Sequence, residues 1–166
     1  MSSPEVACIG LATADTIVSL PGWPSADGRM LADTILRSFG GPAATAAVTI
    51  SRLGHRAAMI GAVGDDDLGA AVRHELEAHG VDVGGLSTVR GPTAESVILL
   101  DRSADTRTIL HAPGASLAGL DNGARERCAG AAWVHVDQAG YGLVTSLDRA
   151  RISVDAGHRI EALEVG

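Results

Sequence analysis

Residues 40–64 read GGPAATAAVTISRLGHRAAMIGAVG, and the order of breaker, small apolar run, breaker and second apolar run decides the fold class. Gly40 and Gly41 interrupt the chain, Pro42 has the fixed φ that suits a first helical turn, and nothing breaks Ala43–Leu53 before Gly54. The spacing predicts a helix over 43–53, closed by Gly54. Ala57–Val63 follows as a short apolar run bounded by Gly64, the pattern of a strand covered on both faces.

Working outward, the same rhythm repeats on both sides. Upstream, Val6–Leu11 is an apolar run containing Gly10, predicted as a buried parallel strand that delivers the carboxylate of Asp15 at its C-terminal end, where ligands bind in open α/β sheets. Downstream, Gly64-Asp65-Asp66-Asp67 reads as a loop with helix-starting acids, Leu68–His79 as a helix closed by Gly80, and Val81–Val89 as an irregular or extended segment. A helix around Leu120–Gly130, a strand at Ala132–Asp137, a helix within Leu143–Ala150 and a strand at Ile152–Asp155 continue the alternation. The prediction is an α/β fold with a doubly wound, mostly parallel sheet.

Two stretches do not fit a simple alternation. Arg29–Phe39 lacks helical period, and Glu95–Leu100 and Thr106–His111 read as strands joined through the polar turn DRSADT. Segments of about 15–38 and 95–111 are therefore expected to form a small β lid, and all of residues 1–166 to be part of one domain. So few short strands cannot cover two apolar faces carrying Ile98, Leu99, Ile109 and Leu110, so the lid is expected to pair with a second copy as a homodimer.

Composition narrows the function. Hydrophobic residues are 46% and charged residues 20% of the chain, which argues against disorder, and the net charge of −7 argues against a nucleic-acid or anionic-membrane partner. All thirteen basic residues are Arg, so a catalytic or Schiff-base Lys and the Lys of a Walker-type loop are excluded. Cys8 and Cys128 read as buried thiols. No stretch approaches the roughly 20 apolar residues of a membrane span, and MSSPEVACIGLA is a poor signal peptide, so a cytoplasmic location is expected.

Several residues carry candidate chemistry. An ionised Asp15 could accept two hydrogen bonds from a diol, or be a solvated strand end. Gly40 and Gly41 allow backbone to approach a ligand beside the unsatisfied N–H groups of a helix start, or simply make a tight turn. Asp137 ends the strand WVHVD, in which His135 reads as a sheet residue satisfied by a neighbour. Asp65, Asp66 and Asp67 point in different directions and read as capping charge, not a metal site. Arg102 and Arg107 flank the hairpin turn as solvated cations or as contacts for an acidic group.

The ordered set GGPAATAA, then Gly54 after six residues and Gly64 after nine more, with Asp15 before it and GAVGDDDLG at 61–69, resembles the first signature of the PfkB (ribokinase-type) carbohydrate kinases. The resemblance covers essentially the whole chain. It implies a ribokinase-like fold, ATP-dependent phosphorylation of a sugar hydroxyl, and ATP with Mg²⁺ as cofactors. It also implies Asp15, Gly40, Gly41, Thr45 and Asp137 as sugar-binding residues. Thr45 departs from the pattern, standing where the family usually has Asn, and the GGPAATAA form is similar to the branch that includes sulfofructose and other ketohexose kinases. The second family signature, a DTxGAGD-like loop carrying the catalytic base and anion hole, does not occur in the 166 residues. No catalytic residue is therefore expected in this chain, the base being placed beyond Gly166, and the chain reads as the N-terminal, sugar-binding and lid part of such an enzyme with the C-terminal half missing. A non-catalytic sugar-binding or regulatory module and a nucleoside kinase remain as alternatives. A Rossmann-type reading of GAVGDDDLG fails for want of the third glycine and of an acidic strand end about 20 residues on.

Overall fold

The computed structural model describes residues 3–144, 147 and 151–157 of the chain. Strands β1 (Val6–Ile9), β4 (Ala57–Gly64), β5 (Asp82–Val89), β8 (Trp133–Asp137) and β9 (Ile152–Asp155) form one sheet in the order β5-β4-β1-β8-β9, every neighbouring pair parallel. Strands β2 (Thr13–Leu20), β3 (Thr34–Gly40), β6 (Glu95–Asp101) and β7 (Thr106–Ala112) form a second sheet in the order β3-β2-β6-β7. In that sheet only β2 and β6 run parallel.

Period-two alternation divides the core of the parallel sheet into two layers. On β1, Cys8 faces one cluster with Met59, Val63, Val72 and Leu76, while Ala7 and Ile9 face another with Ile60, Val134, Val136 and Cys128. Helices α1 (Pro42–Arg52) and α2 (Asp67–Ala78) supply the first layer, and α3 (Asn122–Gly130) and α4 (Tyr141–Val144) the second. Helices on both faces make β4 buried at every position, which is why its sequence is apolar or small throughout. Burial also pushes the Cys8 thiol up to about 12 and that of Cys128 to about 11, so both are uncharged packing groups. Of the described helices, none is long and apolar enough to cross a membrane.

Most elements fall where periodicity places them. Of the helix expected within Leu143–Ala150, Leu143 and Val144 fall in the described helix α4, Leu147 is not helical, and residues 145, 146 and 148–150 lie outside the described residues. The acidic loop behaves as capping charge: Asp66 Oδ1 accepts from Gly69 N at 2.8 Å at the start of α2, and Asp65 Oδ1 accepts from Gly91 N at 2.8 Å. Asp66 also accepts from the backbone N–H and hydroxyl of Thr93, and these hydrogen bonds hold its carboxyl below the usual aspartate range.

The placement of Asp15 needs correction. The first strand ends at Ile9, the chain leaves the parallel sheet through Gly10–Ala12, and Asp15 lies on β2 in the second sheet. The apolar run to Leu11 is one continuous signal that hides this exit. The turn into α1 explains the paired glycines. Gly41 has φ +92°, and a Cβ there would overlap the carbonyl of Leu11, which accepts from Ala44 N at 3.2 Å in the first turn of α1. Gly41→Ala is expected to cost at least about 2 kcal/mol through backbone strain and the displaced carbonyl, read as a lower urea midpoint.

Candidate functional site

Register on the second sheet sorts its side chains into rows. Asp15 stands opposite Ser38 and Ser96, and Ser96 opposite His111. Two residues along come Leu36, Ile17, Ile98 and Ile109, and then Thr34, Ser19, Leu100 and Arg107. This face passes from a polar row through an apolar row to a cation, and it looks across a cleft at the N-terminal end of α1 and at the part of the parallel sheet that α1 leaves bare.

The cleft has two adjoining compartments. The smaller, about 510 Å³, is lined by Leu11, Thr13, Asp15, Ser96, His111 and Gln138 among others. The larger, about 1070 Å³, adds Gly40, Thr45, His135 and Ser153, and Asp15, Gly41 and Arg107 border both. These volumes are of the size that small-molecule sites occupy. A separate hollow of about 470 Å³ between β3, α1 and α2 touches Thr45 but not Asp15, and gathers fewer of the candidate residues.

Asp15 is half-buried, and desolvation, the largest influence, raises its carboxyl above the ordinary aspartate range. Opposing that, the Thr13 hydroxyl donates to Oδ1 at 2.8 Å, and Ser96 and the charge of His111 also favour the ionised form. Ser96 Oγ lies 3.2 Å from His111 Nδ1, so three side chains on adjacent strands surround the carboxylate. Gly40 is bare for a steric reason, because a Cβ there would overlap Asp15 Oδ2. Thr45, one turn into α1, is exposed to the larger compartment.

Asp15, Gly40, Gly41 and Thr45 are thus brought to one cleft. Asp137 is not. Its side chain is 0% exposed and its carboxylate is consumed by backbone: Oδ2 accepts from Leu11 N at 2.7 Å and Ala43 N at 3.3 Å, and Oδ1 accepts from Ala139 N at 2.9 Å and Gly140 N at 3.0 Å. The expectation of a ligand contact at Asp137 gives way to a clamp behind the cleft. It ties the exit of β1, the start of α1 and the end of β8 together, and its charge meets the positive end of α1. His135 is satisfied through its Nδ1 by Ser153 Oγ at 2.9 Å.

Arg102 pairs with Asp33 Oδ2 at 3.2 Å on the surface, whereas Arg107 borders the cleft. Sequence reasoning missed Thr13, Ser96, His111 and Gln138. The first three become visible only when strand register is known. Gln138, the residue after Asp137, carries no periodic signal.

The sequence matches the family described as "pfkB family carbohydrate kinase" over residues 3–156. An ATP-dependent ribose-1-phosphate kinase of Halopiger xanaduensis is 39% identical over 88 residues, covering 52% of this chain and 30% of that protein. A fructokinase of Salmonella typhimurium is 33% identical over 124 residues, covering 74% of this chain and 38% of that protein. The Arabidopsis thaliana ribokinase solved with ribose and ATP superposes with a TM-score of 0.79 at 21% identity, over 96% of this chain and 55% of that one, a likeness of fold. The chain therefore spans well under two thirds of each of these relatives.

Proposed function

Because the chain belongs to the pfkB family of carbohydrate kinases, we propose that its cleft is the acceptor-sugar site of an ATP-dependent phosphotransfer and that its second sheet acts as the lid over that site. The observation that carries the reading is the convergence of a half-buried carboxylate, Asp15, with the bare backbone of Gly40 and Gly41 at a helix start, in a cleft with room for a small molecule. Ionised Asp15 accepts hydrogen bonds from two neighbouring hydroxyls, the Gly40–Gly41 backbone lies against the ring, and Thr45 offers one further hydroxyl. The apolar row of Ile17, Ile98 and Ile109 supplies a surface for the sugar's C–H face and keeps water from the carboxylate. Asp137 serves by holding the two walls in register.

ATP is the donor that family membership implies, but no described residue is assigned to hold it. Among the described residues no three His, Cys, Asp or Glu side chains gather into a metal-holding group, so none is assigned to Mg²⁺ either. The described side chains bind and orient the acceptor. The segment that the resemblance gives as carrying the base and the anion hole does not occur in the 166 residues, and positioning alone does not stabilise a transition state. The expected behaviour of the 166-residue chain is sugar binding without turnover. A coupled ADP-release assay with D-ribose, D-fructose and other pentoses and hexoses tests this, and turnover by the chain alone would overturn that division of labour. Two buried free thiols are in keeping with a cytoplasmic location.

The lid also presents apolar side chains to solvent on both faces, among them Leu36 at 57% and Ile109 at 52% on the cleft side and Ile35 at 66% and Leu110 at 55% on the other. A four-stranded sheet with two uncovered apolar faces is best served by a second copy. Light scattering is expected to report a homodimer, and Leu110→Asp to shift it to monomer. A wild-type monomer at all practical concentrations would count against the pairing.

A further inference from the structure

Among the described residues, one buried side-chain polar atom has no hydrogen-bond partner, and its residue borders the cleft. Gln138 is half-buried at the end of β8 and borders the smaller compartment with Thr13, Asp15 and Ser96, yet its Oε1 is buried with no hydrogen-bond partner. Buried side-chain acceptors are rarely left in this state, because the desolvation penalty is not offset, and each such atom calls for an explanation. The surroundings make poor packing an inadequate one. The preceding residue, Asp137, binds four backbone amides, two of them from Ala139 and Gly140, so the backbone on both sides of Gln138 is fixed. A carboxamide carried on a fixed backbone beside an open compartment that Thr13, Asp15 and Ser96 also line is an arrangement suited to a group that is not protein.

The opposite wall indicates which group. The neighbours of Gln138 across the compartment, Asp15, Thr13, Ser96 and His111, are already engaged with one another. None of them donates to Oε1. A hydroxylated ligand held at Asp15 brings O–H donors into the same compartment, and a modest turn of the carboxamide lets Oε1 accept one while its NH₂ donates to a neighbouring hydroxyl. Gln138 is the only glutamine in the chain, and the only asparagine, Asn122, lies at the start of α3, away from the cleft lining. We infer that Gln138 is a specificity-determining residue of the sugar site, its orphaned carboxamide oxygen reading one hydroxyl of the acceptor. The inference rests on the sugar-site reading of the same cleft.

The test is a cycle of Gln138→Met against monodeoxy sugars, by titration calorimetry with thermal melts of the unliganded proteins. Met keeps the length and volume of the side chain and removes the polar atoms. The wild type should bind its preferred sugar, and one monodeoxy analogue should bind roughly tenfold more weakly. Q138M should bind the parent sugar roughly tenfold more weakly as well, and that analogue no more weakly than the wild type does, so the two losses do not add. The unliganded variant should melt at the same temperature as the wild type or higher, because removing an unsatisfied buried acceptor does not destabilise. Unchanged sugar affinity in Q138M would overturn the role. So would a lower melting temperature with an equal loss for every sugar, the mark of a structural residue. Absence of saturable sugar binding by the wild type would contradict the sugar site itself, a result separate from either of these.

Discussion

Asp137→Ala is expected to lower the unfolding free energy by about 3–5 kcal/mol, a larger loss than truncation of any side chain that faces the cleft should give. Four backbone amides donate to this carboxylate from three segments that are distant in sequence, and its side chain is 0% exposed, so its removal strands donors where water does not reach. Asp137→Asn is expected to fare little better, since an amide presents N–H to at least one backbone N–H. Urea unfolding checks this: the midpoint should fall at constant m-value. A variant with wild-type stability but lost sugar binding would instead place Asp137 in contact with ligand.

On the proposed sugar-site reading, Asp15 should respond in the opposite way, because its carboxylate borders the cleft instead of tying backbone segments together. Asp15→Ala removes charge-assisted hydrogen bonding with a net worth of about 1.5–3 kcal/mol, so sugar affinity should fall roughly tenfold to a hundredfold. Stability should move with pH. Burial raises the Asp15 carboxyl above its ordinary range, so the folded protein holds this proton more tightly than the unfolded chain does. Stability attached to the group is therefore fully present below the ordinary aspartate value of about 3.9 and is lost as pH rises through the raised value. At neutral pH, Asp15→Asn should melt above the wild type, the gap closing on acidification below about pH 4. Thermal melts at the two pH values decide it, and a less stable Asp15→Asn at neutral pH would show that the carboxylate belongs to the fold.

The centre of the parallel sheet was legible because its elements are bounded by breakers and β4 is buried along its whole length. Gly54 after α1, Gly64 as the last residue of β4 and Gly80 after α2 mark ends, and the uniformly apolar or small residues of β4 mark burial. The second sheet was legible only as extended chain. That β2 carries Asp15 away from the first sheet depends on the turn at Gly10–Ala12, held by Leu11 N on Asp137, a contact across 126 positions that no local pattern encodes. The same limit separated the two acidic candidates. Asp15 and Asp137 both follow apolar runs, yet one meets a cleft and the other four amides, a distinction made by tertiary packing. Ser96, His111 and Gln138 enter the site by register and by the end of β8, where single-sequence signals are weakest.

Calorimetric titration of pentoses and hexoses into the wild type and Asp15→Ala is the most direct test of the sugar-site assignment. At least one sugar should bind the wild type saturably at one site per chain, with affinity reduced tenfold or more in a variant that keeps the wild-type circular dichroism. Saturable binding that is indifferent to Asp15→Ala, or no saturable binding of any sugar, would contradict the assignment of this cleft.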